Sequence, residues 1–69
     1  MAIGTVKWFD ATKEFGFIEP SDGSGYAFVD RYAIEHSGLQ ALIDGQRVQY
    51  DIFPGIDGKA AAENLVILD

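Results

Sequence analysis

Short runs of β-branched and aromatic residues, glycine-rich turns between them and the lack of a convincing amphipathic helix predict an all-β fold in this 69-residue chain. The architecture expected is a five-stranded antiparallel barrel, because a sheet of so few short strands removes its exposed edges best by closing on itself. Sixty-nine residues leave no room for a second core, so residues 1–69 read as one domain. Apolar residues make up 48% of the chain and charged residues 23%, an ordinary globular balance that argues against a disordered tail.

Gly4 to Asp10 and Glu14 to Glu19 are the first two strands, joined by Ala11-Thr12-Lys13 as a hairpin. Pro20-Ser-Asp-Gly-Ser-Gly25 collects residues suited to turn dihedrals, and Tyr26 to Val29 resumes the strand pattern. From Asp30 to Gly45 period two is lost. Arg31 to Glu35 can form one helical turn, and the rest reads as a long connection. Arg47 to Phe53 alternates, with Val48, Tyr50 and Ile52 opposite Arg47, Gln49 and Asp51. Pro54 to Gly58 turns, and Ala60 to Leu68 makes the fifth strand. A small barrel of the OB type is the natural candidate.

The residues that point to chemistry are Trp8, Phe9, Phe15, Phe17 and Phe28, crowded into three short strands. Period two places Phe15 and Phe17 on one face of the second strand, with Gly16 and Ile18 on the other. In the third strand Ala27 and Val29 face inward, leaving Phe28 outward beside Asp30. These rings can be read simply as core. Gly16 favours the outward reading, since a glycine between two phenylalanines marks close backbone approach in a sharply coiled sheet. Strict alternation sets Trp8 with Val6, so Trp8 joins an outer platform only if a bulge shifts the register. Exposed rings flanked by Lys7 and Lys13 form a surface on which unstacked bases can lie while the ammonium groups meet phosphates.

Five basic residues against eleven acidic ones give a net charge of −6, which excludes a binder that works mainly through a basic patch. The acids are unevenly placed: within residues 1–18, Lys7 and Lys13 balance Asp10 and Glu14. With a Debye length of about 8 Å at physiological salt, a locally neutral face can meet an anion despite distant acids. Asp44, Asp51, Asp57 and Glu63 show no calcium-loop spacing and read as solubilising charges.

No cysteine is present and His36 is the only histidine, so neither a disulfide, a metal site nor a cofactor is expected. Ser21 or Ser37 with His36 and an aspartate lacks any nucleophile-turn or oxyanion context, and an enzyme is not expected. Gly23-Ser-Gly25 and Gly55-Ile-Asp-Gly58-Lys59 do not open helices and read as turns. No apolar run approaches the roughly 18 residues needed to span a bilayer, and the first residues lack an export signal. A cytoplasmic monomer without membrane contact is the expectation.

At these residues the sequence resembles the bacterial cold-shock protein family. The resemblance runs through G-T-V-K-W-F-D-A-T-K at 4–13, K-E-F-G-F-I at 13–18, A-F-V-D-R-Y-A-I at 27–34 and D-G-Q-R-V at 44–48. Residues 13–18 and 27–31 are similar to the family's two ribonucleoprotein motifs. The resemblance implies an OB-type cold-shock domain with Lys7, Trp8, Lys13, Phe15, Phe17 and Phe28 at nucleic-acid-contacting positions, and Trp8 outward. It also exposes departures. Glu14 stands where the family usually has glycine, adding a carboxylate beside Lys13 that should weaken phosphate contact. Asp30 and Arg31 replace the usual His-Phe; Arg31 can still stack and meet phosphate. Asp30 can accept from a base amino or imino group, or pair with Arg31, and the pair is the expectation. Leu39 occupies a position where many members carry a loop aromatic, and G-K-A-A-A-E-N-L-V at the end is one residue longer than the common pattern.

The resemblance implies a nucleic-acid chaperone that binds single-stranded RNA and DNA, with pyrimidine-rich strands preferred and with possible influence on transcription or translation under cold or other stress. The alternative is an OB-type protein-interaction domain whose acidic substitutions have removed useful nucleic-acid affinity, with the exposed rings as a docking patch.

Overall fold

A computed structural model describes residues 1–55 and 60–68. Five strands form: β1 (Ala2–Asp10), β2 (Phe15–Pro20), β3 (Ala27–Val29), β4 (Arg47–Pro54) and β5 (Ala60–Ile67). They close into a barrel in the order β1-β2-β3-β5-β4. β1 pairs antiparallel with β2 and β4, β2 with β3, and β4 with β5; the ring closes where β3 meets β5 in parallel through Phe28 and Ala61. The strands lie within two residues of their expected bounds. The expected turn over Pro54 to Gly58, with Lys59 beyond it, falls largely outside the described residues.

The inward positions of the alternating strands supply the core. Val6, Ile18, Val29, Val48 and Tyr50 are fully buried, and Ala27, Ala62 and Leu65 complete the barrel interior. Each outward neighbour alternates with these, as a half-buried antiparallel strand requires.

Two bulges interrupt this alternation. In β1, Val6 faces Ile18 while Trp8 faces Phe17, so Lys7 and Trp8 together oppose one residue of β2. The slip sends Trp8 outward and turns Phe9 in against the core. On either side of the slip, residues 44–46 satisfy the β1 backbone: Val6 N–H donates to the Gln46 carbonyl, Gly45 N–H donates to the Val6 carbonyl, and Phe9 N–H donates to Asp44 Oδ1. Asp44 therefore braces β1, a role beyond solubility. In β5 the register shifts where β4 passes from Gln49 to Asp51, and Asn64 takes a positive φ of 55° there. Asn64 Nδ2 donates to Asp51 Oδ2 at 2.9 Å, so Asp51 too has a structural partner.

The connection between β3 and β4 holds a short helix, α1 (Arg31–His36), which carries Ala33 and Ile34 into the core. Its end is a Schellman-type stop. Gly38, at φ +75°, donates to the Glu35 carbonyl, and Leu39 N–H donates to the Ile34 carbonyl. Leu39 then packs against the core, which explains an aliphatic residue at this loop position. Ser37 Oγ accepts from Leu65 N–H at 2.8 Å and ties α1 to β5, so Ser37 serves the fold.

Two substitutions test this packing. A Cβ on Gly16 would collide with the Trp8 carbonyl oxygen and lie 2.8 Å from Phe9 Cα, both backbone atoms that cannot step aside. Gly16→Ala is expected to destabilise the barrel by about 3 kcal/mol in urea unfolding. The Tyr50 hydroxyl is buried without a hydrogen-bond partner among the described residues. Burial first, and the nearby Asp22 carboxylate second, push its pKa above the ordinary 10.0. The folded state thus holds the phenol proton more tightly than the unfolded chain, and stability is expected to fall as pH rises above about 10. Tyr50→Phe should flatten that alkaline decline and leave stability at neutral pH equal or higher by about 1 kcal/mol.

Candidate nucleic-acid interface

The β1 bulge aligns one row of outward positions around the barrel. Trp8 faces Phe17, Phe17 faces Phe28, Phe28 meets Ala61, and Ala61 faces Phe53. Phe15 adds a second layer beside Trp8 and Phe28. The rings touch one another rather than filling the interior: Trp8 lies 5.2 Å from Phe15, edge to face, and stacks at 6.1 Å on Phe17. Phe28 closes the group at 6.1 Å from Phe15 and 5.8 Å from Phe17. Trp8 is 41% exposed and Phe17 37%, while Phe15 and Phe28 are half-buried between their neighbours. Rings that pack against one another in this way are held in position while Trp8 and Phe17 stay open to solvent.

Lys7, at the bulge, and Lys13, in the turn after β1, are both exposed, and neither makes an ion pair among the described residues. The turn is firm: Asp10 Oδ1 accepts from the N–H groups of Thr12 and Lys13, and Glu14 N–H donates to the Asp10 carbonyl. Asp10 therefore positions Lys13 while its carboxylate is engaged by the turn backbone.

Asp30 and Arg31 depart from the expected surface pair. Asp30 is the N-cap of α1, its Oδ1 accepting from Ala33 N–H at 3.0 Å. The Arg31 guanidinium instead meets Glu14, Nε to Oε2 at 2.7 Å. The reason is geometric: once Asp30 turns its carboxylate back to cap the helix, Arg31 starts α1 pointing toward the end of the β1–β2 hairpin. Glu14, the residue expected to oppose phosphate beside Lys13, has its charge countered by Arg31.

Two aromatic residues extend the face beyond those singled out from the sequence. Phe53 is 44% exposed at the far end of the ring row, and Tyr26 packs on Phe17 at 6.4 Å. The alternation that places Arg47, Gln49 and Asp51 outward, carried one step further, reaches Phe53. Tyr26 falls one residue before β3, yet the period-two pattern that sets Phe28 outward puts Tyr26 on the same face. His36 is exposed and packs against Tyr32 at 4.5 Å. Among the described residues no cluster of His, Cys, Asp and Glu could hold a metal ion, and no helix is long and apolar enough to cross a membrane.

Residues 2–67 match the model of the "cold-shock" DNA-binding domain. Among curated proteins the chain is 53% identical to a probable cold shock protein, y4cH, of Sinorhizobium fredii over 66 residues, covering 94% of this chain and 96% of the relative. It is 50% identical to cold shock protein CspA of Rhizobium meliloti over the same length and coverage. It is also 48% identical to cold shock-like protein CspE of Escherichia coli over 65 residues, covering 94% and 93% of the two chains.

The N-cap assignment makes Asp30 a stability residue as well as a surface one. Asp30→Ala is expected to cost about 1 kcal/mol in denaturant unfolding, whereas Asp30→Asn, which keeps an acceptor oxygen, should cost much less. An equal loss in both variants would mean that the carboxylate's charge, not its cap bond, matters there.

Proposed function

Because the chain belongs to the cold-shock domain family, we propose that it binds single-stranded RNA and DNA by stacking bases on the Trp8–Phe15–Phe17–Phe28 face and so acts as a nucleic-acid chaperone. The observation that carries this reading is the continuous exposed ring row, which a small core does not need and which the β1 bulge brings together. Stacking contributes about 1 to 3 kcal/mol per base, so four rings supply roughly 4 to 12 kcal/mol before the cost of ordering a flexible strand. Micromolar binding, about −8 kcal/mol, lies within that range.

Lys7 and Lys13 stand beside the rings as the phosphate partners, while Asp30 contributes through the α1 cap and Arg31 through its place at the rim. Lys59, a further cation from the sequence, lies outside the described residues. The mechanism requires no covalent step and no cofactor. Occupying unpaired bases draws a hairpin toward open strand by mass action, and few ionic contacts permit quick release. Duplexes are poor ligands, since their bases present no free faces and the acidic barrel repels them. The family resemblance supports a preference for pyrimidine-rich strands and an influence on transcription or translation under stress, and the cysteine-free composition supports action in the cytoplasm, as a monomer.

Titrating the protein with oligo-dT and oligo-dA while following Trp8 fluorescence tests this directly. Saturable quenching is expected, stronger with oligo-dT, and it should disappear in a Phe15→Ala, Phe17→Ala double variant. The log–log salt slope should lie near −1 to −2, since each single-strand phosphate contact contributes about −0.7. A slope steeper than about −4 would overturn the ring-dominated mechanism. Absence of quenching by any single strand would redirect the face to a protein partner.

A further inference from the structure

Glu14 sits at the end of the β1–β2 turn with φ +57°, a left-handed conformation that costs glutamate and not glycine. In return its carboxylate reaches Arg31, with Oε2 accepting from Nε at 2.7 Å. The pair lies at one end of the ring face: Glu14 directly precedes Phe15, Arg31 follows Phe28 by three residues, and the Phe15 and Phe28 rings are 6.1 Å apart. A strand stacked on Phe15 and Phe28 would bring its phosphates to this same end of the face. Arg31 is 67% exposed, so solvent and phosphate both reach it.

We propose that the Glu14–Arg31 ion pair is an internal competitor for the bound strand, in which the carboxylate holds the guanidinium edge that a phosphate would take. This rests on the reading of the ring face as a strand-binding surface and adds to it the residue that sets its affinity. An arginine offers a planar fork suited equally to carboxylate and phosphate. Binding a phosphate to Arg31 either displaces Glu14 or brings a second anion onto a guanidinium already neutralised. An exposed pair is weak enough to be displaced. Its effect is thus a graded reduction in affinity, with Arg31 silent in the salt dependence because one anion replaces another.

The test uses five proteins, the unaltered chain, Glu14→Gln, Glu14→Gly, Arg31→Met and the Glu14→Gln, Arg31→Met double variant, each titrated with oligo-dT by Trp8 fluorescence at several salt concentrations. Glu14→Gln keeps the side-chain size and the backbone conformation but releases Arg31. It is expected to bind roughly 3- to 10-fold more tightly at low salt, with a slope steeper by about 0.7, one added phosphate contact. Adding Arg31→Met should return the slope to that of the unaltered chain. Glu14→Gly, which also relieves the positive φ, should reproduce the gain. The proposal is overturned if Glu14→Gln binds no more tightly, or if its steeper slope survives loss of Arg31. Such a result alongside Phe15- and Phe17-dependent quenching of the unaltered chain removes the competitor and leaves the strand-binding reading intact. If neither the unaltered chain nor Glu14→Gln is quenched by any strand, both fall. Quenching confined to Glu14→Gln and Glu14→Gly would mean that the pair closes the face almost completely, which supports the competitor.

Discussion

The bulge that sets Lys7 and Trp8 opposite Phe17 is the constraint on which the rest of this barrel depends. Without it, the alternation of β1 would send Trp8 inward with Val6 and leave Phe9 in water. With it, Val6 and Phe9 both serve the core and Trp8 joins Phe17 and Phe28 outside. The bulge needs close approach of the neighbouring strand, and Gly16 provides it, its Cα lying against the Trp8 carbonyl and Phe9 backbone where no Cβ fits. It also leaves β1 polar groups beyond the reach of β4, and residues 44–46 supply their partners. One local irregularity thus couples the core, the long connection and the ring face.

Most of the strand framework was legible because period-two alternation is a strong signal where one face is buried. Val48 and Tyr50, Ile18, and Ala27 with Val29 all face inward as their spacing requires. What alternation could not decide was the side of Trp8, because a bulge is a one-residue slip with no compositional mark except the glycine across from it. The partners of the acidic residues were hidden for a different reason. Asp44 as an acceptor for Phe9 N–H and Glu14 against Arg31 depend on segments distant in sequence that meet only when the barrel closes, whereas the Asp30 cap is a local contact with Ala33. An Asp before a short helix is a recognisable cap signal, but α1 is six residues long and its periodicity too brief to announce itself. Phe53 was within reach of the alternation in β4, and Tyr26, two residues before Phe28, within reach of that in the third strand.

The acidic balance of the chain is handled by local partnership instead of by compensating lysines. Asp10 accepts from two turn N–H groups, Asp30 from the first turn of α1, Asp44 from β1, and Asp51 from Asn64. Each of these carboxylates is directed at a nearby N–H donor of the fold. Acids elsewhere in the sequence, such as Glu63, remain on the solvent side of the strands and keep the surface anionic.

This arrangement divides the two demands a nucleic-acid surface normally places on the same residues. Attraction by charge is nonspecific, reaches duplexes as readily as single strands, and fades as salt rises. Contact by stacking requires an unpaired base and depends little on salt. A barrel with six more acids than bases, four interlocked rings and, beside them, two lysines without an ion pair among the described residues leans on the second. The Glu14–Arg31 pair extends that bias to the rim, where a third cation would otherwise have added phosphate attraction. The negative charge then acts as a filter: a ligand must offer exposed base faces to overcome it, and a paired helix has none to offer.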